Sequence, residues 1–260
     1  MNTNNTLITV TNIVKRFGGL VALNECNLSI KDNSITGIIG PNGSGKTTLF
    51  NVITGHLKPD SGSIYYNGHD ITSFESYELF SLGMLRTFQI AHEFSNMTVL
   101  ENLMVVPGNQ NGESLVYSLM NRKKIAKEDE KIRLKANEVL EFLKIDNLKN
   151  ELAGNLSGGQ KKLLELARTM MVDAKIVFLD EVGAGVNKTL LNDIADSILR
   201  LNKEKGYTFC MIEHDYNLIS RLCDPIIVLA EGNVLFEGTA AEVRENTEVI
   251  ESYLGRGIKK

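Results

Sequence analysis

The nine residues Gly40-Pro41-Asn42-Gly43-Ser44-Gly45-Lys46-Thr47-Thr48 carry the spacing G-x-x-x-x-G-K-[ST]. Glycines at these positions let successive backbone N–H groups turn toward a polyphosphate. Lys46 supplies a cation that reaches the β- and γ-phosphates, and the Thr47 hydroxyl is a hard oxygen donor for Mg²⁺. An apolar run, Ile35-Thr36-Gly37-Ile38-Ile39, precedes the loop, and Leu49-Phe50-Asn51-Val52-Ile53 follows it. Strand, loop and helix therefore come in the required order, and the helix N-terminus adds partial positive charge at the anion. The plain alternative is a glycine-rich turn joining a strand to a helix, and the full pattern in this context weighs against it. The stretch predicts binding of a nucleoside triphosphate.

A second glycine-bearing stretch, Leu156-Ser157-Gly158-Gly159-Gln160, opens a run of helical character, Lys161 to Arg168. A serine hydroxyl, two glycine N–H groups and a helix N-terminus all directed one way form a further anion site. Alone, Ser157 reads equally well as a simple N-cap. However, Asp180 and Glu181 stand 23 and 24 residues after Ser157, at the end of the apolar run Ile176-Val177-Phe178-Leu179.

Taken together, the phosphate loop, the LSGGQ stretch and the Asp-Glu pair resemble the ATP-binding-cassette (ABC) ATPases, whose signature motif is LSGGQ. The resemblance runs from Phe17 to the tail. It implies that Asp180 holds Mg²⁺ through water, that Glu181 is the general base for the attacking water, and that Gln89 senses Mg²⁺ and the γ-phosphate. It further implies that His214 is the switch histidine beside the γ-phosphate and that Phe17 stacks on adenine. Ser157, Gly158, Gly159 and Gln160 would cap the ATP held by a partner subunit, two cassettes packing head to tail around two ATP molecules. Ala184-Gly185-Val186-Asn187 matches the loop that crosses that interface. Glu213 and Asp215, flanking the histidine, read as helix-start acids. Two positions depart from the family pattern: Val182 stands where proline is usual, which removes a φ restraint, and Asn187 stands where aspartate is common.

Softer matches narrow the subgroup. Arg86 to Ala91, Asn96 to Leu103, Glu165-Leu166-Ala167-Arg168 and the tail Glu237 to Gly255 are similar to the ATPases of branched-chain amino acid importers. Urea-importing and lipopolysaccharide-exporting ATPases share much of this vocabulary and remain alternatives, with a non-transport ABC ATPase further off. A coiled-coil insertion or a tandem cassette, expected of DNA-repair relatives, is missing from the chain. The resemblance implies a second ATPase subunit (the same chain or a different one), transmembrane permease subunits and, indirectly, a substrate-binding protein. It also implies that Gln89 to Val106 receives a coupling helix from the permease.

The elements that must position these residues read as an α/β fold: a P-loop core with a mixed or parallel sheet, an N-terminal antiparallel β subdomain and a small helical subdomain. Leu7 to Val14 and Val21 to Ile30 alternate as antiparallel strands, with Phe17 in the turn region between them. Ser63 to Tyr66 followed by Asn67-Gly68 predicts a strand and hairpin turn, and Leu85 to Gln89 a further strand. Residues 97–166 read as mostly helical, with Ile132, Ala136, Val139, Leu140 and Leu143 on one face. Strands then return at Lys175–Leu179, Tyr207–Ile212, Ile226–Leu229 and Val234–Glu237, the first three separated by helices as parallel crossovers require. The expected division is a single ABC domain with a core over about 1–90 and 167–240, a helical subdomain over 91–166 and a tail over 241–260.

Bulk properties agree with this. The chain has 260 residues, 43% of them hydrophobic and 23% charged, with a net charge of -4. That balance argues against nucleic acid as a partner. Cys26, Cys210 and Cys223 form no CxxC pair and read as core residues of a reducing compartment. With no long apolar stretch and no signal-like N-terminus, the expectation is a cytoplasmic protein held at the inner face of the membrane through a permease. Replacing Glu181 by Gln is expected to lower ATP turnover by about 10²–10⁴, as for loss of a general base. Nucleotide-binding and phosphate-release assays on the same preparation check this, and near-normal hydrolysis would remove Glu181 from the role.

Overall fold

The computed structural model describes residues 5–87, 93–108, 122–172 and 174–254. Two compact units emerge: residues 1–86, 175–184 and 198–260 form the first, and 87–174 with 185–197 the second.

The first unit holds two sheets. Strands β1 (Thr6–Phe17) and β2 (Leu20–Lys31) pair antiparallel, with Phe17 opposite Leu20 across the Gly18-Gly19 turn. Phe17 is thus the last residue of β1 rather than a turn residue. Cys26, Leu28 and Ile30 lie buried on one face, as their alternation predicts. β4 (Ser61–Tyr66) and β5 (His69–Asp70) extend this sheet to the order β2-β1-β4-β5. Asn67 and Gly68, both at positive φ, make the two-residue turn between them.

The second sheet has the order β10-β9-β3-β8-β7-β6. Its strands are β3 (Ile35–Ile39), β6 (Met84–Arg86), β7 (Ile176–Asp180), β8 (Thr208–Ile212), β9 (Ile226–Ala230) and β10 (Asn233–Gly238). All neighbours pair parallel except β9 and β10. β3, β7 and β8 are buried at every residue, the mark of strands covered on both faces, which is why they read as continuous apolar runs. β6 is shorter than the strand expected from the sequence, and residues 88–92, Gln89 among them, lie outside the described residues.

Helix α1 (Lys46–Ile53) follows β3 and buries Leu49, Phe50, Val52 and Ile53 in one core with Ile8, Ile13, Leu23, Ile30, Ile64 and Phe178. Phe50 meets Phe178 edge-on, ring centroids 5.2 Å apart. The other helices of this unit include α2 (Ser76–Ser81), α7 (Tyr216–Leu222), α8 (Ala240–Glu245) and α9 (Thr247–Leu254).

The second unit is helical, built on α3 (Val99–Met104), α4 (Arg122–Phe142) and α5 (Gly158–Met170). Ala136, Val139 and Leu140 of α4 and Leu143 just past its end are buried, as the expected stripe requires, while Ile132 is only partly buried. Helix α6 (Lys188–Lys205) begins in this unit and ends in the first. All three cysteines are buried thiols, and burial pushes Cys26 up to about 11. Among the described residues no helix is long and apolar enough to cross a membrane.

Phe178 sits where β7 meets α1, so Phe178→Ala opens a cavity against Phe50. The expected cost is about 3–5 kcal/mol, visible as a lowered urea midpoint with an unchanged denaturant slope.

Candidate active site

The first unit gathers its chemistry at one end of one sheet. β8 lies between β3 and β7, and the register places Ile38 and Asp180 both opposite Ile212. The residues just past those points, Gly40 after β3, Glu181 after β7 and His214 after β8, therefore emerge at the carboxyl ends of three adjacent parallel strands. Open α/β sheets bind ligands there. A cleft of about 380 Å³ is lined by Phe17, Leu20, Val21 and Ala22 on one side, and by Asn42, Gly43, Gly45, Lys46, Thr47 and Thr48 on another. Glu181 and His214 complete its wall.

The loop is a cradle that only glycine can form. A Cβ on Gly40, at φ 154°, would come within 2.1 Å of the Leu229 carbonyl oxygen; on Gly45, at φ 102°, it would meet the Ala22 carbonyl oxygen at 2.6 Å. The Ser44 N–H donates to the Pro41 carbonyl at 3.1 Å, while the Ser44 hydroxyl is buried without a hydrogen-bond partner among the described residues. Lys46 is buried, and its ammonium donates to the carbonyls of Gly40 and Pro41 at 2.8 and 3.0 Å. Burial pulls its pKa down, and the charges of Glu181 and Asp180 pull it back up. Thr47, one residue on, is exposed to the cleft.

Asp180 ends β7 and is buried, and Glu181 follows at φ 50°. A left-handed glutamate costs about 1–3 kcal/mol, and two contacts hold it there. Its own N–H donates to the Ile212 carbonyl at 3.0 Å, continuing the β7–β8 ladder. Two residues later the Gly183 N–H donates to the Glu213 carboxylate at 2.8 Å. So held, Glu181 places Oε1 3.1 Å from Nε2 of His214. Val182, where proline would restrict φ, is buried and packed instead.

Phe17 is about half exposed (47%), at the cleft edge rather than in the core, with the Lys15 ammonium 5.8 Å from its ring centroid. Asp215 is a helix-start acid as expected, capping α7 by accepting from the N–H groups of Asn217 and Leu218. Glu213 is not one. It is buried and anchors both the Gly183 N–H and the His214 N–H, a role no motif announces. Arg86, too, carries no motif of its own. Its guanidinium donates to Asp180 Oδ2 at 2.9 Å and to Asn51 Oδ1 of α1.

The signature residues belong to the second unit. Ser157 is the N-cap of α5: its hydroxyl accepts from the Gln160 N–H, and Gln160 Oε1 accepts from the Ser157 N–H at 2.9 Å. The capping geometry is thus present in full, Ser157 and Gln160 serving each other. A Cβ on Gly159 would meet Leu190 Cδ2 at 2.2 Å, so this glycine is required by packing, whereas one on Gly158 would meet nothing closer than the Gly185 carbonyl oxygen at 4.0 Å. Asn187 keeps the hydrogen bonding of the expected aspartate, accepting from the Leu190 N–H at 3.0 Å.

For Mg²⁺ the fit is good. Among the described residues no group of three His, Cys, Asp or Glu side chains converges as a metal cage. A threonine hydroxyl and one carboxylate beside a phosphate cradle are hard oxygen donors, the kind of set Mg²⁺ accepts while keeping several waters.

Burial raises the pKa of Glu213 from its ordinary 4.5, more than its two N–H donors lower it. Relative to the unfolded chain, folding favours the protonated form, so the stability tied to this group is full below pH 4.5 and is lost as pH rises through the higher folded value. Glu213→Gln, which does not titrate, should flatten the fall of unfolding free energy with pH above 4.5, measured by urea denaturation across pH 4–8.

Residues 23–184 match the ABC transporter family, and residues 233–259 match a family described as the branched-chain amino acid ATP-binding cassette transporter. The chain is 43% identical to the probable branched-chain amino acid transport ATP-binding protein LivG of Archaeoglobus fulgidus, the match covering 96% of this chain and 95% of that one. It is 35% identical to the high-affinity branched-chain amino acid transport ATP-binding protein LivG of Escherichia coli K12, over 96% and 98%. A crystal structure of the ADP conformation of an ATP-binding cassette of an ABC transporter superposes with a TM-score of 0.81 at 41% identity, covering 96% of this chain and 99% of that one. A dimeric bacterial ABC transporter cassette superposes with a TM-score of 0.72 at 26% identity, covering 90% and 99%.

Proposed function

The chain belongs to the ABC transporter ATPases, and from that premise we propose that it powers the uptake of branched-chain amino acids through partner permeases. The observation that carries the substrate class is near full-length similarity to several proteins named for that transport, together with the matched C-terminal family segment.

Glu181 and His214 act as a pair in the hydrolysis. With Oε1 and Nε2 3.1 Å apart, Glu181 would orient and polarise the attacking water, and His214, in the wall of the same cleft, would meet the γ-phosphate. Lys46 holds the transferring phosphoryl group, exchanging its two carbonyl acceptors for phosphate oxygens of higher charge. Backbone N–H groups from Gly40 to Thr48 bind the remaining phosphate oxygens, and Phe17 offers its exposed ring to the adenine. Thr47 and Asp180 would hold Mg²⁺, with Gln89 as a third contributor; when bound, the ion neutralises charge on the β- and γ-phosphates. Glu213 keeps the strained turn after Glu181 in place.

Ser157, Gly158, Gly159 and Gln160 act on the ATP of a second cassette, of the same or a different chain. The dimeric state of a related cassette supports that reading. The subunit then sits on the cytoplasmic face of the membrane through its permease, and a substrate-binding protein delivers the amino acid outside. An isolated subunit should bind ATP and hydrolyse it slowly until a partner closes over the loop.

Co-purification with permease subunits and reconstitution into vesicles tests the proposal. ATP-dependent accumulation of labelled leucine, with urea left outside, is the expected result. Uptake of urea instead, or of neither with no permease retained, would overturn it.

A further inference from the structure

We propose that Arg86 is the resident counter-ion of Asp180, a positioning residue that ties this carboxylate to the phosphate-loop helix and competes with Mg²⁺ for it. The inference rests on Asp180 being the metal carboxylate, as above, and adds a residue to which no role in the reaction has been given.

The guanidinium fork spans two elements. One nitrogen donates to Asp180 Oδ2 at the end of β7, and the other donates to Asn51 Oδ1 on α1. The guanidinium carbon lies 5.9 Å from the centroid of the Phe50 ring, within reach of a cation–π contact. The arrangement is deep: the Arg86 side chain is 12% exposed and that of Asp180 6%. A carboxylate so buried requires a cation or strong donors, and the pair satisfies that need within the chain. Asn51 also follows Thr47 by four residues, one turn along the same face of α1. Arg86 therefore joins the two elements that carry the expected metal donors, Thr47 and Asp180.

A guanidinium does not lose its proton at any accessible pH, so its charge persists when a second cation approaches. Two cations sharing one buried carboxylate repel each other, and the repulsion falls on whichever is exchangeable. Mg²⁺ is the exchangeable one. Arg86 thus weakens metal binding while ordering the carboxylate that the metal needs, and the fold makes high affinity for Mg²⁺ depend on the nucleotide's phosphates.

Thermal unfolding of the full chain tests this, in EDTA and then with a non-hydrolysable ATP analogue under titration by Mg²⁺. Arg86→Met and Arg86→Gln remove the charge; Arg86→Lys keeps it. Both neutral variants should unfold at lower temperature in EDTA. They should also reach half of their Mg²⁺-dependent shift at no more than about one fifth of the Mg²⁺ that the parent needs, the least expected for removing one like charge even at water-like screening. Arg86→Gln serves if the methionine variant does not fold; Arg86→Lys loses the two-armed fork but keeps the charge, so its Mg²⁺ midpoint should stay within about twofold of the parent's. Neutral variants that need as much Mg²⁺ as the parent, or more, would overturn the competition, as would a lysine variant that behaves like them. The underlying metal assignment fails differently: Asp180→Asn would then respond to Mg²⁺ as the parent does.

Discussion

The parallel register of β3, β8 and β7 is the constraint on which the site depends. These strands are buried on both faces, so a slip of one residue would move a whole row of side chains between opposite sides of the sheet. The register that places Ile38 and Asp180 opposite Ile212 brings the phosphate loop, the acidic pair and the histidine to one edge. The phosphate loop lies more than a hundred positions before the acidic pair, and His214 follows Glu181 by 33. Hydrophobic burial supplies the energy for this alignment, and the strand ends receive its consequences.

Local strain is placed where that framework can hold it. Glu181 sits at positive φ between the β7–β8 ladder and the turn anchored by Glu213. Gly40 and Gly45 occupy conformations in which any side chain would strike a backbone carbonyl. For the two glycines the neighbouring contact is a backbone carbonyl, and for Glu181 it is the Ile212 carbonyl together with the buried Glu213 side chain, so the geometry is set by parts of the chain that cannot easily yield. Charge is treated similarly. Lys46 and Asp180 are both buried, and each has partners within the unit: carbonyl oxygens for the lysine, the Arg86 fork for the aspartate.

The two glycine-bearing motifs differ in what their structure demands. In the phosphate loop, glycine is required by backbone conformation and close approach to carbonyls. In the signature, Gly159 is required by the Leu190 side chain, and Gly158 is unconstrained by its surroundings in the unit. Among the described residues a side chain on Gly158 would meet nothing closer than the Gly185 carbonyl oxygen at 4.0 Å. Ser157 and Gln160 satisfy one another as a capping box, which leaves the helix start ordered in the single chain.

The phosphate loop, the signature and the Asp-Glu pair were legible because their chemistry depends on residue type at short spacing. The same holds for the strands, whose apolar runs report burial on two faces, and for the Asn67-Gly68 turn. Arg86 and Glu213 could not be found that way. Each works through a partner far away in the chain, Arg86 with Asn51 and Asp180, Glu213 with Gly183, and a lone charged residue in a sequence carries no mark of which distant group it will meet. Phe17 and Val182 also needed the fold, since only packing distinguishes an exposed ring at a cleft edge from a core residue, or a packed valine from a loosened turn. The sequence alone determined which atoms could do the chemistry, because that is a property of side chains and their neighbours. The tertiary structure alone decided which of those atoms share a site and what holds them there, because parallel pairing across long crossovers sets those distances.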